Sequence, residues 1–111
     1  MSIQSAGSRV GQPSTPEITF EGKRYMQIEN GERLGLQRTG LMAIFDAASN
    51  KRLAVVKIYD EQRQPGVEAD IQDVFFTRFE LVAGKRELLI ENERRKRFAF
   101  EIDTQKVRPL D

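Results

Sequence analysis

Residues 24–59 read RYMQIENGERLGLQRTGLMAIFDAASNKRLAVVKIY, and this stretch decides the fold class. Apolar residues recur at every second position over short runs. Met26 and Ile28 share one parity, and Ala54, Val56 and Ile58 share another. Leu41, Ala43 and Phe45 alternate with Met42 and Ile44, so that run is apolar on both faces. Period two is the signature of a strand, whereas an amphipathic helix repeats every 3.6 residues. Between the runs stand Asn30-Gly31, Thr39-Gly40 and the segment Asp46–Asn50. These residues favour turns, because Gly and Asn tolerate positive φ and Asp or Asn side chains bond the local backbone. Asn30-Gly31 predicts a hairpin, with Leu34 and Leu36 sharing a face of the strand after it. Leu41–Asp46, apolar on both sides, predicts a central strand.

The same texture extends in both directions. Ile18–Phe20 predicts a short strand closed by a turn at Glu21-Gly22. Residues 1–16 are rich in Ser, Gly, Gln and Pro, so they are expected to be a disordered tail that buries too little to offset its ordering entropy. Residues 60–70 are a polar interruption around Pro65-Gly66, and residues 67–73 are a candidate helical turn. Val74–Val82 follows, with Phe75, Thr77, Phe79 and Leu81 on one face. Turns are expected at Gly84-Lys85 and over residues 92–96, on either side of a strand at Glu87–Glu91. In Arg97–Asp103, Phe98, Phe100 and Ile102 are expected to point inward, and Lys106–Arg108 to add a last strand. The expectation is a single all-β domain over residues 17–111. About eight short antiparallel strands form a meander that folds into a small sandwich or barrel.

Composition narrows the function. The chain has 111 residues with 18 Lys+Arg, 17 Asp+Glu and no His, Cys or Trp. Without His or Cys there is no Ser-His-Asp or Cys-His nucleophile system, no zinc finger and no haem or iron–sulfur ligation. A net charge of +1 argues against a surface that as a whole seeks polyanions or polycations. No apolar run reaches the length of a membrane-spanning helix, and the first residues contain no apolar core of a signal peptide. The expected location is the cytoplasm.

Gly40–Leu53, GLMAIFDAASNKRL, resembles the hairpin of a β-propeller repeat of the quinoprotein type. In such repeats a Gly opens a strand that ends in Asp, and a turn of the form Asp-Ala-x-Thr-Gly-Lys-x-Leu-Trp follows. Asp46, Ala47, Ser49, Lys51 and Leu53 match that form, while Asn50 stands in place of the Gly and Ala54 in place of the Trp. Gly84–Asp103 resembles a second such unit. The resemblance implies a hairpin at each place. It implies no cofactor or catalytic residue, and the chain is too short for a closed propeller.

Four groups of residues are candidates for chemistry. Arg94, Arg95, Lys96 and Arg97, with Lys85, Arg86, Lys106 and Arg108 nearby, could contact phosphates; equally, they could form a solvated turn paired to the surrounding carboxylates. Asp60, Glu61, Glu68, Asp70 and Asp73 could be imagined around a Ca²⁺ or Mg²⁺ ion or as a glycosidase pair, but their spacing matches no EF-hand loop and predicts a solvated segment. Tyr25 and Tyr59 have the opposite parity to their apolar neighbours, so they could seed a partner surface or cover a second sheet face. In Val74-Phe75-Phe76 the two rings point to opposite faces, so either both faces are covered or Phe76 joins that surface. The resulting expectation is a non-enzymatic interaction or accessory module without metal or cofactor, meeting a protein partner or a second copy and no membrane. The alternative is a nucleic-acid-binding barrel that uses the 94–97 turn.

Overall fold

The computed structural model describes residues 15–60, 62–63 and 71–110. Most of the expected tail and residues 67–70 of the expected helical turn lie outside them. Ile71–Gln72 is extended and pairs with Gln62–Arg63.

Glu21 and Gly22 both have positive φ, 50° and 80°, the backbone a tight two-residue hairpin needs. They join β1 (Ile18–Phe20) to β2 (Lys23–Ile28). The chain then departs from the expected hairpin. Asn30 is extended, and its side-chain oxygen accepts the N–H of Glu32, so it caps a 3₁₀ turn over Gly31–Leu34. Leu34 and Leu36 therefore lie on a loop and not on a strand. Gly31 is needed there because a Cβ would stand 2.0 Å from the Gln37 carbonyl oxygen.

β3 (Leu41–Asp46) and β4 (Arg52–Lys57) complete a four-stranded sheet in the order β1-β2-β3-β4. After the short ladder of β5 (Gln62–Arg63) and β6 (Ile71–Gln72), a second four-stranded sheet is built the same way. It contains β7 (Phe76–Val82), β8 (Glu87–Asn92), β9 (Arg97–Glu101) and β10 (Val107–Leu110), each pairing with its predecessor. The two sheets face each other as a sandwich and are not joined into a closed barrel.

The core lies between them. From the first sheet come Tyr25, Met42 and Ile44, and from the second Phe76, Phe79, Leu88, Ile90 and Phe100. Ile58, Tyr59 and Val74, which flank the crossover, close one side. Tyr25 meets Phe100 edge-on at 6.2 Å between ring centroids, joining the two sheets through aromatic packing.

Two expected facings are corrected. In β2 it is Tyr25 that faces the core, opposite Ile44, while Met26 and Ile28 face away. In β7 a register irregularity between Phe76 and Arg78 breaks strict alternation. Phe76 and Phe79 therefore both point inward, 5.5 Å apart, and Thr77 is exposed. In β9, Phe100 is fully buried as expected, with Phe98 and Ile102 packed against the core.

Both hairpins implied by the local resemblance form. The turn between the third and fourth strands is built alike in the two sheets. Asp46 and Glu101 donate their N–H groups to the carbonyls of Lys51 and Lys106 at 2.8 Å. Asn50 and Gln105 each take a left-handed backbone, φ 63° and 60°. Ala47 and Ile102, one residue past the strand, each bond back to the preceding turn, at the carbonyls of Gly22 and Arg86.

Candidate interaction face

Tyr25, Tyr59 and Phe76 do not form a surface, because all three are core residues. Tyr59 stacks on Phe98 at 5.4 Å, lies 6.1 Å from Phe76 and donates its hydroxyl to the Val74 carbonyl at 2.6 Å. Burial pushes the Tyr59 and Tyr25 hydroxyls above the ordinary tyrosine range. The reason is topological: with two packed sheets, the polar tip of an inward Tyr needs one internal acceptor, and the crossover supplies it.

The basic run forms the exposed turn between β8 and β9. Asn92, itself buried, accepts the N–H groups of Arg94 and Lys96 on its side-chain oxygen, at 2.9 and 3.2 Å. Arg97 sits opposite Glu91 in the ladder. Phe98 and Phe100 turn into the core, so the aromatics nearest this turn are not placed to stack on bases. Of the acidic residues, Asp73 holds Arg38 through both carboxylate oxygens at 2.7 and 2.9 Å, and Asp60 meets Lys57 at 2.6 Å. Glu61, Glu68 and Asp70 lie outside the described residues.

At one end of the sandwich, Arg86 reaches Glu21 of the first sheet's opening turn, at 2.7 Å, and Asp103 of the second sheet, at 3.0 Å. Its guanidinium lies 5.6 Å from the centroid of the Phe20 ring. Its hydrogen bonds hold both carboxyls below their ordinary range. This cluster ties the sheets together and is electrostatically satisfied within itself.

The two outward faces differ in kind. Across the second sheet, register sets Arg78 beside Glu91 and Glu91 beside Arg97. Arg108 bonds Glu87 at 2.8 Å and Glu101 at 2.9 Å. On that face these paired charges surround Leu89 and Ala99.

The first sheet's outward rows are Met26–Ala43–Val55, Ile28–Leu41–Lys57 and Arg24–Phe45–Arg52. No carboxylate occupies these positions, though Glu17 pairs with Arg24 at 3.3 Å and Asp60 with Lys57 at 2.6 Å, and Leu41 and Ala43 are themselves buried. Leu53, the extra residue at the β4 irregularity, is 50% exposed, and Leu34 and Leu36 on the adjoining loop are 39% and 45% exposed. Met26 and Ile28, with Glu29 and Arg33, line a groove of about 460 Å³ beside the 3₁₀ turn. Arg24 covers the Phe45 ring at 4.9 Å while bonding the Asn50 side chain at 2.7 Å.

The sequence did carry a signal for this face. Leu41–Phe45 is apolar at both parities, and in a two-layer fold only one parity can enter the core. Leu34, Leu36 and Leu53 carried no such signal, because their exposure depends on the 3₁₀ turn and the bulge.

No family model matches the chain, and neither curated proteins nor solved structures match it. Among the described residues, no helix is long and apolar enough to cross a membrane.

Proposed function

We propose that the chain is a non-enzymatic, cytoplasmic protein-interaction module, and that its outward-facing first sheet is the surface a partner protein covers. The contrast between the two outer faces carries this reading. Both belong to four-stranded meanders of one chain, in the same solvent. One carries its ion pairs across the strands; the other has ion pairs only at Arg24 and Lys57 and offers half-buried Met26, Ile28, Phe45 and Val55 with exposed Leu53, Leu34 and Leu36 beside them. A large apolar patch with a polar rim marks a contact surface. On the rim, Arg24 already pairs with Glu17 and Lys57 with Asp60, so the preference for an acidic partner rests on Arg52.

Site-specific photocross-linking in the native host tests the reading. A photoreactive residue replaces Leu36 or Leu53, with Leu89 on the opposite face as the control. The expected result is one defined protein adduct from the first two positions and none from Leu89, lost when Val55→Glu is added. Adducts only to a second copy, only to nucleic acid, or equally from all three positions would overturn it.

A further inference from the structure

Among the described residues the two four-stranded sheets end at four edges, and they are not equally protected. Unpaired edges invite foreign strands, and proteins blunt them by shortness, proline, bulges or charge. β1 spans three residues. β10 contains Pro109, which has no N–H to offer. β7 carries its irregularity between Phe76 and Arg78, with Thr77, Arg78 and Glu80 exposed along it. β4 is different. It is six residues long, and its irregularity is confined to its start. Ala54, Val55, Val56 and Lys57 then run in unbroken register against Ile44, Ala43, Met42 and Leu41. This is the edge that borders the apolar outward face.

We propose that β4 accepts an extended segment of another protein as an added strand of the first sheet, the segment being apolar at alternate positions and acidic at both ends. The inference rests on the proposed function and specifies how the partner binds. Main-chain hydrogen bonds supply affinity and alternate side chains supply specificity in such additions. Side chains of the added strand on the outward parity extend the Met26–Ala43–Val55 row. Lys51 and Arg52 at one end of β4, and at the other Lys57, whose exposed pair with Asp60 at 2.6 Å is weak enough for a partner carboxylate to compete with, set the charge the partner must carry.

The test uses fluorescent peptides of alternating Val and Thr. One is capped by Glu at both ends, one by Lys, and a third is the Glu form with alternate backbone amides N-methylated. The Glu-capped peptide is expected to bind about tenfold more tightly than the Lys-capped one, and N-methylation to abolish binding. In the double variant Arg52→Glu, Lys57→Glu, whose changes lie at exposed positions, the preference should reverse while the thermal midpoint holds. Amide exchange at residues 54–57 should slow when the Glu-capped peptide is bound. Absence of binding, indifference to end charge, or binding that survives N-methylation would overturn strand addition. If Leu36 and Leu53 still cross-link one partner under any of those outcomes, the interaction face stands and this inference falls alone. If the peptides behave as expected while cross-linking gives nothing, the strand acceptor stands without the wider face.

Discussion

Arg86 is the residue at which the two sheets are joined by charge, since Glu21 and Asp103 belong to different sheets. Both carboxyls are held below their ordinary values, so their contribution is complete above about pH 4 to 5 and is withdrawn as pH falls through the lowered values. Urea midpoints should therefore drop on acidification below about pH 4, and Arg86→Gln should flatten that limb. An identical acid limb in the variant would assign acid sensitivity to other groups. The tyrosines act at the opposite extreme. Their raised hydroxyls leave stability unaffected by pH up to about 10, where free tyrosine ionises, and withdraw it above. Phe100 packs between the sheets, fully buried against Tyr25. Phe100→Ala is expected to cost about 3–5 kcal/mol, measured by chemical denaturation. An unchanged midpoint would contradict the facing of β9.

At the scale of elements, the loop from Glu29 to Gly40 shows how a short-range signal can be outvoted. Asn30-Gly31 has the composition of a hairpin turn, but Gly31 packs against the Gln37 carbonyl and the Leu41 side chain. The Gln37 side chain then bonds the carbonyls of Thr39 and Tyr59 at 2.6 and 2.8 Å. These contacts lie beyond the dipeptide, and the one to Tyr59 spans 22 residues, so the dipeptide alone could not announce them. Gly40 anchors the same region, with φ 87° and room for no Cβ, which would stand 2.3 Å from the Tyr59 carbonyl oxygen. Gly40→Ala should cost more than about 2 kcal/mol, combining left-handed strain with displacement of the carbonyl. A loss of only a few tenths in denaturant melts would show that the loop can relax. The strands β3 and β9, and β4 from Ala54 onward, were legible because nothing interrupts their alternation there. β2 was misread because Tyr25 is polar at its tip and buried in its ring, so parity judged by polarity chose the wrong face. In β7 the irregularity after Phe76 adds one residue to the count, which no alternation pattern can display.

At the scale of the whole molecule, both sheets share a single core, so neither should unfold without the other. Near-ultraviolet dichroism, reporting Tyr25 and Tyr59, and far-ultraviolet dichroism, reporting the strands, are expected to melt together. Two separated transitions would mean that the meanders are independent. The candidate face was only partly readable at this scale. The sequence places apolar residues on both parities of β3, but which of them face outward depends on the partner sheet's position. The order of the strands has one more consequence. Each sheet is assembled from consecutive segments of chain, so forming a ladder requires only short loop closures, and the long-range encounter is deferred until two nearly complete sheets meet. Refolding should therefore be fast for an all-β chain. Substitutions in the hairpin turns should slow it more than substitutions at the Tyr25–Phe100 contact, which should chiefly hasten unfolding.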